Sequence, residues 1–135
     1  MAIDRILVVD DDRMLRTLLV HKLSRLGCRI DQAENGRGAL ERVKSDPPGL
    51  IILDAMMPVM DGHETLRQLK SDPETAHIPV FMLTARRGET DMEDALQLGA
   101  ADYVSKPFNP DDLVVRIARF VLAQFDEKPQ AQNIG

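Results

Sequence analysis

Four apolar runs in this chain close on groups that can do chemistry. Leu50-Ile51-Ile52-Leu53 ends in Asp54, Arg5-Ile6-Leu7-Val8-Val9 in Asp10-Asp11-Asp12, Pro79-Val80-Phe81-Met82-Leu83 in Thr84-Ala85, and Tyr103-Val104-Ser105 in Lys106-Pro107. Short apolar runs of this kind read as buried strands, and in a parallel sheet their carboxyl ends open on one edge, where ligands bind. An isolated Asp54 would read as the end of a strand or the cap of a turn. With the other three run ends beside it, carboxylates, a hydroxyl and an ammonium converge from distant parts of the sequence.

Carboxylates brought within a few ångströms repel by ~4 kcal/mol per close pair at an effective dielectric of ~20. Either one of them is protonated, with a raised pKa, or a divalent cation sits among them. A site of oxygen donors without His or Cys favours a hard ion, and few protein oxygens with room for water suit Mg²⁺ better than Ca²⁺. The expected Mg²⁺ site uses Asp11 and Asp54 directly, Asp10 at least through water, and the backbone carbonyl of Met56. A carboxylate beside Mg²⁺ and an ammonium can attack phosphorus. Lys106 and the metal then neutralise the equatorial oxygens, Thr84 donates a hydrogen bond to one of them, and Asp54 becomes an aspartyl phosphate. Ala85 is small enough to leave room beside Thr84.

Positioning these groups requires a particular fold. Strand-like runs alternate with helix-length amphipathic segments, predicting a parallel sheet covered on both faces. Strands are expected at residues 5–9, 29–33, 50–53, 80–83 and 102–105, and helices at 13–26, 36–44, 62–70, 90–98 and 110–125. The first helix should carry an apolar stripe of Met14, Leu15, Leu18, Leu19, Leu23 and Leu26, broken only by Lys22. Right-handed crossovers give a flavodoxin-like α/β fold, a doubly wound (βα)5 three-layer sandwich with strand order 2-1-3-4-5, which sets the first and third strands side by side. Residues 1–125 form this domain, and 126–135 read as a polar tail or the start of a linker.

The chain of 135 residues, 44% hydrophobic, holds one core of ordinary size. Its net charge of −5, from 22 acidic and 17 basic residues, and the lack of a basic block argue against direct binding of nucleic acid. No stretch reads as a membrane span or an export leader, so a cytoplasmic location is expected. Cys28 is the only cysteine, which excludes an internal disulfide and favours a small packed residue over a reactive thiol.

The segments ILVVDDD, LDAMMPVMDG, VFMLTA and GAADYVSKPF resemble, in order and spacing, the receiver domain of two-component response regulators over about residues 4–125. The resemblance implies that Asp54 is the phosphoacceptor, Asp10 and Asp11 the acidic pair, Thr84 and Lys106 the switch and phosphate-contact residues, and Tyr103 the aromatic that follows the switch. It also implies a cis peptide at Lys106-Pro107. The expected partners are a histidine kinase or histidine phosphotransfer protein as donor and a downstream protein target or output domain as reader. The reading surface would be the fourth helix, fifth strand and fifth helix, and Asp102 and Arg119 are candidates for a phosphorylation-dependent homodimer there.

Other residues have plainer readings. Asp12 and Asp61 look like helix caps, and His21, His63 and His77 look solvated. Met56 and Arg86 flank the path of water to the aspartyl phosphate and are expected to set its lifetime. Two alternatives stand beside the receiver reading. One is a phosphohydrolase of the haloacid dehalogenase type with Asp10 as nucleophile, although Arg13-Met14 follow where Gly-Thr would be expected. The other is a receiver-like scaffold that is never phosphorylated.

Overall fold

A computed structural model describes residues 3–84 and 89–134, with side chains left aside at 89–91 and 124–134. The elements run β1 (Arg5–Val9), α1 (Arg13–Leu23), a 3₁₀ turn (Ser24–Leu26), β2 (Arg29–Ala33), α2 (Gly36–Ser45), β3 (Leu50–Asp54), α3 (Gly62–Ser71), β4 (Val80–Thr84), α4 (Glu89–Gln97), β5 (Asp102–Ser105) and α5 (Pro110–Ile134). The strands form one parallel sheet in the order β2-β1-β3-β4-β5. The expected doubly wound α/β architecture is the one observed.

Burial follows position in the sheet. Every residue of the central strands β3 and β4 is buried, which is why they read as unbroken apolar runs. The edge strands β2 and β5 are only partly covered. One core layer packs α2, α3 and α4 on one face through Ala39, Val43, Leu66, Leu69 and Ala95. The other packs α1 and α5 through Leu19, Leu23, Leu113 and Ile117. Phe81 meets Phe120 edge to face at 5.4 Å, worth ~1 kcal/mol beyond the area buried.

Side-chain caps start three helices. Asp12 accepts from the N–H groups of Met14 and Leu15, Asn35 from Gly38, and Asp61 from Glu64, each worth ~1 kcal/mol. The cap roles expected of Asp12 and Asp61 therefore hold. Cys28 is half-buried, its thiol donates to the Ile3 carbonyl, and burial raises its pKa, consistent with a packed rather than reactive residue.

Three expectations need correction. The stripe of α1 is narrower than expected: Leu19 and Leu23 are buried and Leu15 and Leu26 pack beside them, but Met14 and Leu18 are 83% and 39% exposed and Arg16 is buried with the first two. At 100° per residue Met14 and Leu18 lie opposite Arg16, Leu19 and Leu23. The fifth helix continues beyond Phe125 to Ile134, past Pro129, which interrupts a run of good helix formers. His63 is not simply solvated, because its Nε2 is buried without a hydrogen-bond partner. Within the chain, Asp102 pairs with Arg116 at 3.3 Å, and Arg119 is exposed one turn further on.

Candidate functional site

Strand register brings the acidic groups together. Val9 pairs with Leu53, so Asp10 and Asp54 stand next to each other where β1 and β3 end. Leu83 pairs with Asp54, and Ser105 with Thr84, which places Thr84 and Lys106 along the same edge. Backbone bonds extend the register past the strands: Asp10 N–H donates to the Ala33 carbonyl, Ala55 to Leu83, and Lys106 to Thr84. The site is thus an outgrowth of sheet geometry.

Asp10 is fully buried and Asp54 is 3% exposed, whereas Asp11 is exposed. One carboxylate oxygen from each of Asp10, Asp11 and Asp54 lies within 4.8 Å of the others. Buried carboxylates at this spacing require a compensating charge, and the ammonium of Lys106 supplies part of it, 3.2 Å from Asp10 Oδ2 and 3.3 Å from Asp54 Oδ1. The remaining Asp10 oxygen, Oδ1, accepts from the Asp12 N–H at 2.8 Å. Asp10 is therefore held on two sides, and the N–H of Met56 contacts Asp54 Oδ1 at 3.4 Å.

The electrostatics follow from burial. Burial, then the neighbouring Asp10 carboxylate, raises the pKa of Asp54 to about 6, against the opposite pull of Lys106 and the Met56 N–H. Burial works against a charged Lys106, but Asp10 and Asp54 more than offset it and its pKa is raised. Both routes expected for relieving carboxylate repulsion are therefore open: a proton on Asp54, or a cation. The oxygen-only donor set fits a hard divalent ion.

The segment after Asp54 is built to stay close. A Cβ at Gly62 would strike the carbonyl oxygen of Asp54 and the Cα of Ala55, so only glycine lets α3 begin there. The Gly62 N–H donates to the Ala55 carbonyl at 2.9 Å. Between them, Met60 N–H donates to Pro58 C=O at 2.8 Å across Val59, whose φ is +73°. This is a γ-turn of the rare positive-φ kind, centred on a β-branched residue. A cleft of about 410 Å³ opens beside it, lined by Asp11, Met56, Met57, Pro58, Asp61 and His63 among others.

Of the remaining expected residues, Thr84 is fully buried at the end of β4. Tyr103 is half-buried and packs against the α2-α3-α4 core layer. Met56 is half-exposed beside the cluster. Lys106-Pro107 is cis. Ala85 and Arg86 lie outside the described residues. Sequence reasoning missed Arg16, a buried guanidinium whose Nη1 donates to the Asp10 carbonyl at 2.7 Å. Its signal was present, because Arg16 falls in helical spacing with Leu19 and Leu23.

Asp10 is a poor candidate for a nucleophile, being fully buried with both oxygens engaged. The family described as "Response regulator receiver domain" matches residues 6–118, so the phosphohydrolase alternative is not supported. Over 131 residues the chain is 37% identical to the "Probable transcriptional regulator ycf27" of Porphyridium aerugineum, covering 97% of this chain and 53% of that protein. Over 113 residues it is 41% identical to the "Alkaline phosphatase synthesis transcriptional regulatory protein PhoP" of Bacillus subtilis, covering 84% and 46%. The chain spans about half the length of the curated relatives it matches. Among solved structures, the chemotaxis protein CheY4 of Vibrio cholerae superposes with a TM-score of 0.80 at 30% identity, covering 87% of this chain and 98% of that one. A CheY-like receiver domain protein of Methanospirillum hungatei gives 0.84 at 26% identity, covering 93% and 99%. Among the described residues, no helix is long and apolar enough to cross a membrane.

Proposed function

Since the chain belongs to the response regulator receiver domain family, we propose that it is a phosphorylation switch in which Asp54 accepts a phosphoryl group from a histidine kinase or histidine phosphotransfer protein. The observation that supports this best is the convergence of three carboxylates, Asp10, Asp11 and Asp54, with the Lys106 ammonium 3.3 Å from Asp54. Asp11 and Asp54 would hold Mg²⁺ directly, with Asp10 through water and the Met56 carbonyl as a further ligand. The bound ion supplies positive charge for the oxygens of the transferring group.

The chain's own residues do the rest. Asp54 is the nucleophile, and its carboxylate is the form that attacks. Lys106, on a flexible stem, can follow the incoming phosphoryl oxygens while remaining near Asp10. The Thr84 hydroxyl donates a hydrogen bond to one of these oxygens, and Tyr103 responds on the α4-β5-α5 side. That surface then binds a downstream target, an output domain or a second copy of the chain. Relatives of about twice the length bear names of transcriptional regulators, which favours an output domain as reader.

The test is labelling with acetyl phosphate in Mg²⁺. Wild type should take up one phosphoryl group on Asp54, and Asp54→Asn should take up none. A label found on Asp10 would overturn the assignment. Sedimentation with and without beryllofluoride reads the partner: doubling of mass supports the homodimer, and an unchanged mass points to a different protein.

A further inference from the structure

Arg16 is the one Lys or Arg among the described residues that is buried, at 7% exposure, and it lies on α1 facing the sheet. Its guanidinium joins three places. Nη1 donates to the backbone carbonyl of Asp10 at 2.7 Å, Nε to Gln32 Oε1 at 3.0 Å, and Nη2 lies 3.6 Å from Glu34 Oε1. Burying a guanidinium is costly, and its hydrogen bonds have to recover that cost.

The Asp10 carbonyl lies just past the end of β1, where the ladder no longer supplies a donor. A buried carbonyl without a partner costs about 1–3 kcal/mol, and a charge-assisted bond from Arg16 meets the need. This carbonyl belongs to the peptide that joins Asp10 to Asp11. On the other side of that peptide, Asp10 N–H donates to Ala33, Asp10 Oδ1 accepts from Asp12 N–H, and Asp10 Oδ2 meets Lys106. Among the described residues, Arg16 donates to this carbonyl, and rotation of this peptide would swing the exposed Asp11 carboxylate relative to the buried Asp10.

We propose that Arg16 is a positioning residue for divalent-cation binding, holding the Asp10-Asp11 peptide so that both carboxylates face the ion. The inference rests on the Mg²⁺ site of the proposed function and deepens it. A second effect opposes it, because a nearby positive charge repels a cation. Glu34 sits against Nη2 and offsets part of that charge, and positioning is the larger effect. The sign of the change on removing Arg16 therefore decides between them.

The experiment measures Mg²⁺ binding to the full chain by calorimetry at fixed pH and salt, with Mn²⁺ resonance spectra as a report on ligand geometry. Arg16→Met keeps the stem and removes the donors, and should weaken binding roughly tenfold, as loss of an outer hydrogen-bonding partner does at other metal sites. Arg16→Lys restores one donor and should recover most of the affinity, and Gln32→Ala, at an exposed position, should fall between. A folded Arg16→Met that binds as tightly as wild type, or more tightly, overturns the proposal. If that variant does not fold, wild-type affinity in Gln32→Ala overturns it instead. Wild type itself failing to bind Mg²⁺ would sink the parent reading, and this inference with it.

Discussion

The Nζ of Lys106 lies 3.2 Å from Oδ2 of Asp10, which ties the last strand of the sheet to the first across β3 and β4 before any phosphoryl group arrives. Lys106 is thus already committed to a fully buried carboxylate. The acidic cluster carries more negative than positive charge, and that imbalance underlies the first two expectations.

Mg²⁺ should stabilise the fold, because the unfolded chain offers no assembled site. At ten times the dissociation constant the gain is ~1.4 kcal/mol, or roughly 3–5 °C in melting temperature for a domain of this size. Asp11→Asn should raise the metal-free melting temperature and abolish the response to Mg²⁺. An unchanged response in thermal melts of that variant removes Asp11 from the site.

The pH dependence has a definite sign. Asp54 titrates near 6 in the metal-free fold against an ordinary 3.8, so between these values the native state binds more protons than the unfolded one. Its contribution to stability is then most favourable below 3.8, declines as pH rises to about 6, and is constant above. Relative to Asp54→Asn, metal-free wild type should lose stability across this window in urea titrations. Parallel curves for the two proteins would show that Asp54 is not perturbed.

Val59 should be improvable. Its φ of +73° suits glycine or asparagine, and at 71% exposure its side chain packs little. Val59→Gly and Val59→Asn should each stabilise the protein by ~1 kcal/mol, the lower end of what such a backbone conformation costs. Urea midpoints that fall in both variants would mean that the turn is not strained.

Met56 should govern how long the phosphoryl group survives. Its half-exposed thioether should keep water off the aspartyl phosphate and offers no strong hydrogen bond to orient it. Met56→Asn should speed dephosphorylation after donor removal, by roughly tenfold if one oriented water is gained, while Mg²⁺ affinity is preserved because the ligand proposed at 56 is a carbonyl. Equal or slower decay would shift attention to Arg86.

Strand ends were the legible part of this molecule. Asp10, Asp54, Thr84 and Lys106 could be read because each follows a run of buried apolar residues, and the parallel register then brings them together. Arg16 was not read, since a charged side chain on a helix is ordinarily solvated. The conformation of Val59 and the burial of His63 Nε2 left no trace in composition or spacing, because both are imposed by how the loop after Asp54 closes onto α3. Helix faces were largely legible: the spacing of α1 placed Leu15, Leu19, Leu23 and Leu26 against the core, but it also took in the exposed Met14 and Leu18.

The glycines beside the acidic cluster give the site an uneven stiffness. Gly62 lies directly on the Asp54 and Ala55 backbone, and Gly36 on α2 lies against the Thr65 hydroxyl and the Met60 carbonyl of the same loop. At Gly62 main chain lies directly on main chain, so this contact resists compression through bond angles and torsions. On the opposite flank Asp54 meets the tip of Lys106, a four-carbon stem that changes rotamer at little cost. Load applied at Asp54 therefore meets an anvil on the α3 side and a spring on the β5 side, and displacement is channelled toward the spring.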